Sequence, residues 1–197
     1  MNIHRISRKT ILAAVAVMAI PAAAIAAPAV AGSSSAPRTV STATAACPTG
    51  WGSLPEANSR MSTAPVTDVR TGRHACFDRL VVDLRGRSAG YDVRYVTNVT
   101  QDGSGFVVPL RGGAKLQLVV RAPSYDDNGR RTYTPAKGSE LSNVAGYSTF
   151  RQVAYAGSFE GQTTIGLGVR ARLPFRVFTL TGPGSGTRLV VDVAHHW

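Results

Sequence analysis

The pentapeptide Arg-Leu-Val-Val-Asp occurs twice in the chain, from Arg79 to Asp83 and from Arg188 to Asp192. Each copy extends an apolar alternation, Leu80, Val82, Leu84 in the first and Leu189, Val191, Val193 in the second. Every second side chain can therefore enter a core while Arg and Asp occupy the opposite face, so both copies read as β-strands. Arg and Asp four positions apart on one strand stand roughly 13 Å apart, beyond pairing reach, and each needs a partner on a neighbouring strand. If the copies are antiparallel neighbours, Arg79 faces Asp192 and Asp83 faces Arg188; the sequence leaves open whether they are adjacent.

Strand signals recur over 66–73, 77–84, 91–96, 106–110, 115–121, 150–156, 163–169, 175–180 and 187–194. Gly86, Gly90, Asp102-Gly103, Gly112-Gly113, Asn128-Gly129, Gly161 and Gly182-Pro183-Gly184 punctuate them as turns. No window holds a helical stripe of any length. The expected fold is all-β, a single-domain β-sandwich or small barrel of about nine strands. The polar stretch 122–147, with Tyr125, Asp126, Asp127, Tyr133 and Tyr147, reads as a long loop that is functional or mobile and holds short ordered pieces.

The N-terminus supplies an address. Arg5, Arg8 and Lys9 precede an apolar segment over 11–20, and small residues close it, which is the pattern of a secretory signal peptide. The apolar run is too short to span a bilayer, and Pro21 interrupts it. Ala24-Ile25-Ala26 and Ala29-Val30-Ala31 both fit a cleavage site; the second is preferred because Gly32 and a run of serines follow. The expected organisation is a signal peptide over 1–31, a flexible Ser/Thr/Ala/Pro tether over 32–46 and a β domain over 47–197. Such a protein is secreted, with no stable membrane insertion once the signal is removed.

Signal cleavage removes those basic side chains and no acid, so the formal charge of +11 falls by 3 to +8. In an exported protein this excess points to wall polymers, acidic glycans or anionic headgroups, not to nucleic acid. Cys47 and Cys76 both lie in the exported part, where a disulfide is the default. Closing a loop of about 30 residues stabilises by roughly 3 to 4 kcal/mol in the chain-entropy model. Ala45-Ala46-Cys47 is not a lipidation site, because the cysteine lies far beyond the apolar core of the leader.

Phe77-Asp78-Arg79-Leu80-Val81-Val82-Asp83-Leu84, the run from Gly157 through Phe159-Glu160-Gly161-Gln162 to Gly168, and Arg188-Leu189-Val190-Val191-Asp192-Val193 resemble the AMIN-like domain of secreted bacterial proteins. The resemblance covers roughly residues 66–197. It implies a β-sandwich module without cofactor, similar to the AMIN modules that localise periplasmic amidases and secretion pores on the cell wall. The partner it implies is peptidoglycan or an anionic cell-wall polymer, with envelope proteins as an alternative. In amidases the module is joined to a zinc hydrolase domain, of which this chain shows no counterpart.

No catalytic constellation is expected from the residues themselves. A zinc site needs converging His and carboxylate ligands, yet His195 and His196 are neighbours that point to opposite faces of a strand, and His74 adds half a site at best. Ser104 sits in an Asp-Gly turn without a nucleophile elbow, and Cys76 near His74 is better explained by oxidation. Glu160 with Asp126 or Asp127 is the one enzymatic alternative, a wall-glycan hydrolase, and requires carboxylates roughly 5 to 9.5 Å apart. For binding, Tyr147, Phe150, Tyr155 and Phe159 bracket Arg151 and lead into Glu160 and Gln162, a mixture suited to stacking on sugars while bonding their hydroxyls. Phe150 and Phe159 are expected in the core, leaving Arg151, Tyr155, Glu160 and Gln162 as the candidate ligand-binding residues.

Overall fold

The computed structural model describes residues 46–197. The expected signal peptide, and the expected tether except Ala46, lie outside the described residues. The described chain is all-β, with eleven strands: β1 (Glu56–Asn58), β2 (Val66–Arg73), β3 (Phe77–Leu84), β4 (Tyr91–Val96), β5 (Val99–Thr100), β6 (Val107–Val108), β7 (Ala114–Val120), β8 (Phe150–Phe159), β9 (Gln162–Val169), β10 (Phe175–Thr181) and β11 (Thr187–Ala194). One sheet runs β10-β11-β3-β2, a second β1-β4-β7-β9-β8, and β5-β6 form a small ribbon; every pairing is antiparallel. The sheets stack as an open sandwich and do not close into a barrel. The count exceeds the expected one because β1 and β5 are too short to show an alternation, and 106–110 contracts to β6.

The core follows the period-2 pattern. Leu80, Val82 and Leu84 of β3 and Leu189, Val191 and Val193 of β11 meet Leu116 and Leu118 of β7, Ile165 and Leu167 of β9 and Phe150 of β8, all buried. Each such side chain contributes roughly 1.5 to 3 kcal/mol when removed from water. The two Arg-Leu-Val-Val-Asp strands are adjacent and antiparallel, with Arg79 opposite Asp192 and Asp83 opposite Arg188.

Both flanks of the sandwich are strapped. On one, the 122–147 stretch is held to both sheets. Val66 N–H donates to the Pro123 carbonyl (2.8 Å), Thr71 Oγ1 meets Ser142 Oγ (2.6 Å), Leu141 N–H donates to Val153 (2.8 Å) and Tyr155 N–H to Gly138 (2.7 Å). Tyr133 and Val144 from this polar stretch are buried in the core. On the other flank, Phe175 N–H donates to Gly52 (2.8 Å) and Val177 N–H to Glu56 Oε2 (3.2 Å), while β1 itself pairs with β4. Burial raises the Glu56 pKa against the opposing effect of the Val177 bond.

The glycines of β9 have a steric purpose. A Cβ on Gly168 would lie 1.9 Å from the Arg111 carbonyl oxygen, and one on Gly166 would lie 2.7 Å from Leu110 Cδ1. Their absence lets the segment carrying β5 and β6 cross the outward face of β9, where Asp102 accepts from Thr164 Oγ1 (2.7 Å). At the tip of this segment the Phe159 ring lies against Gly103. That placement overturns one expectation: Phe150 is buried, but Phe159 is 48% exposed, because it caps a hairpin instead of entering the core.

Cys47 and Cys76 form a disulfide with Cα atoms 5.3 Å apart. It joins the segment carrying Trp51 to the start of β3, where the Trp51 and Phe77 rings are 5.6 Å apart. Cys76→Ala is expected to destabilise the domain by about 2 to 4 kcal/mol and to expose residues 47–55 to protease; an unchanged melting temperature contradicts this. Gly168→Ala, with backbone in the way of its methyl group, should cost at least about 3 kcal/mol in chemical denaturation.

Candidate functional site

Four chain segments end together where β3 and β10 finish and β2 and β11 begin, at the end of the sandwich away from the disulfide. The turn after β3 places Arg85 and Arg87 either side of Gly86, whose φ of 128° is open to glycine and strained for other residues. Arg85 N–H donates to Pro65 (3.0 Å) and Thr187 Oγ1 donates to the Gly86 carbonyl (3.0 Å), which fixes the turn against both neighbouring strands. Arg60 approaches from the segment before β2 and donates to Ser88 Oγ (3.4 Å). Together Arg60, Arg85 and Arg87 line a cleft of about 1140 Å³ with Ser62, Thr63 and Ser185. No carboxylate lines it, and among the described residues none of the three guanidiniums has a salt-bridge partner.

Elsewhere among the described residues six arginines hold a carboxylate, and most of the others donate to carbonyls or neutral side chains. Asp83 takes Arg70, Asp92 takes Arg94, Glu140 takes Arg111 and Asp126 takes Arg130. Asp192, fully buried, takes both Arg79 and Arg176. The cleft is thus a place where positive charge is left uncompensated; Arg85 and Arg87 stand as a close pair in the sequence, but Arg60 lies 25 positions before Arg85.

A cavity of about 650 Å³ shares Arg85 and Ser185 with the cleft and is lined also by Asp68, Arg70 and Asp83, and two others lie toward Tyr125. One of these, about 500 Å³, shares Met61, Ser62 and Thr63 with the cleft and is lined further by Tyr125, Asp126, Asp127 and Gly161. The other, about 480 Å³, shares Tyr125 and opens between Tyr133, Tyr155, Arg131, Ser124 and Gly138. Tyr133 and Tyr155 meet edge to face with ring centroids 5.9 Å apart. The Tyr155 hydroxyl pairs with Ser124 Oγ at 2.6 Å.

The sequence candidates fall at separate places. Arg151, at the start of β8, donates to the carbonyls of Phe150 (2.8 Å), Tyr147 (3.1 Å) and Ser148 (3.3 Å). Tyr155 lines the tyrosine cavity. Glu160 (φ 47°) and Gly161 (φ 76°) form the two-residue turn between β8 and β9, the backbone twist that such a hairpin favours. Gln162 Oε1 accepts from Arg121 (3.4 Å). Tyr155, Glu160 and Gln162 therefore belong to the cavity end of the domain, and Arg151 to the opposite end of β8.

Tyr125 brings the Asp126-Asp127 turn to the Glu160-Gly161 turn by accepting the Gly161 N–H (3.0 Å). Asp126 is committed elsewhere: Oδ1 accepts from the Asn128 and Arg130 amides (3.0 and 2.9 Å) and Oδ2 from Arg130 Nε (2.9 Å). The Arg130 amide bond foremost, then the Arg130 side chain, hold its carboxyl below the usual carboxylate range, which suits an anchored anion and not a proton donor. His195, at the disulfide end, is bonded through Nε2 to buried Asp78 (3.2 Å), and His74 stacks on Phe77.

The repeated strands carry a second arginine arrangement that sequence reading reached in part. Arg79 grips Asp192 through two bonds (2.6 and 2.9 Å) across the β3–β11 pair. Arg176, one strand further out, adds two more (3.0 and 2.8 Å) and lies 4.4 Å over the Trp51 ring. Asp83, although opposite Arg188, bonds Arg70 on β2 (2.8 and 3.1 Å), while the Arg188 guanidinium donates to the Thr181 carbonyl (2.9 Å). A strand has two neighbours, and the outer one won.

The AMIN-like domain family model matches residues 64–195, from just before β2 to the end of β11. The chain belongs to the AMIN-like domain family. AMIN-like domains are modules of cell-envelope-associated proteins. The matched region holds both repeated strands, the tyrosine cavity and Arg85 and Arg87, and leaves out Cys47, Trp51, β1 and Arg60. No curated protein and no solved structure matches the chain.

Burial, with the negative charge of Asp68 and the neighbouring Tyr155 adding to it, pushes the Tyr133 hydroxyl from 10 up to about 12. The unfolded chain gives up this proton near pH 10 and the folded chain holds it to about 12, so the contribution is complete below 10 and is lost as pH rises through that window. Phenolate absorbance should show Tyr133 among the late-titrating tyrosines, with Tyr91 and Tyr95 also raised by burial, and Tyr133→Phe should flatten the fall in melting temperature across the same window.

Proposed function

We propose that this AMIN-like domain is a secreted, noncatalytic module that holds its protein at the cell envelope by binding an anionic wall polymer in the Arg60–Arg85–Arg87 cleft. The observation that carries the reading is the convergence of three guanidiniums without a carboxylate, in a molecule that pairs five of its carboxylates with arginine elsewhere. Guanidiniums bind phosphate and carboxylate through paired donors, and the serine and threonine hydroxyls beside them suit a hydroxyl-rich chain. Peptidoglycan is the other wall ligand in reach, through its peptide carboxylates. The basic balance of the whole chain steers such polyanions toward the surface.

Docking onto an envelope complex through a bare strand edge has less support, because the 122–147 stretch takes up backbone groups of both β2 and β8. A hydrolase reading rests on Glu160 with Asp127, since Asp126 is tied within its own turn.

Sedimentation with purified wall sacculi tests the proposal. Wild-type protein should be retained at low salt and released as salt rises through the Debye screening range. Combined Arg60→Ser, Arg85→Ser and Arg87→Ser should weaken retention at least about tenfold, or about 1.4 kcal/mol, with an unchanged melting temperature because all three side chains are exposed. Equal retention of this variant, or no retention of wild type at low salt, counts against the cleft.

A further inference from the structure

We propose that the cavity between Tyr133 and Tyr155 is a subsite for an acidic pyranose, a sugar ring carrying a carboxylate. This rests on the envelope-binding reading above and adds the chemistry of the repeating unit. A cavity of about 480 Å³ falls within the roughly 300 to 1,000 Å³ of small-molecule sites and holds one or two sugar rings. Tyr133 is buried and Tyr155 half-buried, and they meet edge to face on the cavity wall, so ring edges and hydroxyls are what the cavity presents to a pyranose.

The hydroxyls are placed for a polar ring edge. Ser124 and Tyr155 share one hydrogen bond between two O–H groups, so one hydrogen of the pair stays free to donate outward. The Tyr133 hydroxyl has no protein partner among the described residues, and Thr134 adds another hydroxyl at the rim. Charge decides between a neutral and an acidic sugar. No carboxylate lines the cavity, while Arg131 does, exposed and without a side-chain bond or ion pair among the described residues. A carboxylate on the ring would be the missing partner of that guanidinium.

Between this cavity and the cationic cleft lies the cavity of about 500 Å³, which shares Tyr125 with one and Met61 to Thr63 with the other and carries Asp126 and Asp127, so the subsite takes an acidic ring at Arg131 independently of the cleft. Gly138 lies on the cavity wall with nothing within 4 Å of where its Cβ would be, so a side chain can start there without a clash, and Gly138→Leu is the variant chosen to narrow the cavity.

The test titrates the purified full protein with hexameric oligogalacturonate, neutral hexameric N-acetylglucosamine and inorganic polyphosphate, by calorimetry and by NMR of labelled tyrosine rings. Oligogalacturonate should bind and shift the Tyr133 and Tyr155 signals. Arg131→Gln and Gly138→Leu should each weaken it at least about tenfold and leave polyphosphate affinity unchanged. Unmoved ring signals, or undiminished affinity in Gly138→Leu, overturn the subsite. Equal shifts by the neutral oligomer in wild type and Arg131→Gln overturn its acidic specificity. Polyphosphate separates the two proposals: binding that needs Arg60, Arg85 and Arg87 leaves the cleft standing when the subsite fails, and its absence removes the cleft.

Discussion

Asp192 is the carboxylate on which the outer face of the first sheet depends. It is fully buried, and an unpartnered charge there would cost several kcal/mol. Four charge-assisted bonds, two from Arg79 and two from Arg176, offset that cost and tie β3, β11 and β10 into one register. A slip of one residue would send every core valine and leucine of the slipped strand to the outside. The guanidiniums are themselves enclosed by aromatic rings, Arg176 between Trp51 and Phe178 and Arg79 between Phe77 and Phe178. The Cys47–Cys76 bridge holds Trp51 in that stack, so the disulfide and the buried carboxylate support the same corner.

With that face committed to structure, the opposite end of the strands is where side chains remain uncommitted. Arg60, Arg85, Arg87 and Arg131 have no carboxylate partner among the described residues, and they lie along neighbouring cavities of one end. The 122–147 stretch explains how a thin sandwich comes to have a deep pocket there. It spans from β2 to β8, anchored by Tyr133 and Val144 in the core, and leaves space between itself and β8. The pocket is a by-product of strapping two sheets with a chain longer than the gap.

Much of the fold was legible because strand alternation is a local property. The bounds of β2, β3, β4 and β11 follow directly from the apolar period and the flanking turn residues. Where the signal failed, the reason is local too. Strands of two or three residues, such as β5 and β1, cannot display a period, and Phe159 looked like a core residue until the Gly103 hairpin gave it a surface to lie on. The glycines of β9 carry no period signal of their own, yet Gly168 makes room for the Arg111 backbone and Gly166 for the Leu110 and Val99 side chains.

The sequence by itself determined an all-β fold of sandwich or small-barrel type and the face on which most strand residues lie, and it marked Cys47 and Cys76 as a pair, because these rest on alternation and on residue chemistry. Tertiary structure alone decided which charges meet. Asp83 had Arg188 and Arg70 as candidates on either side, and strand order assigned it to Arg70. It also decided where charge stays unpaired: Arg60 joins Arg85 and Arg87, and Arg131 joins Tyr133 and Tyr155, only once the strand ends and the long loop converge. Such meetings depend on packing across the whole chain, and no window of sequence contains them.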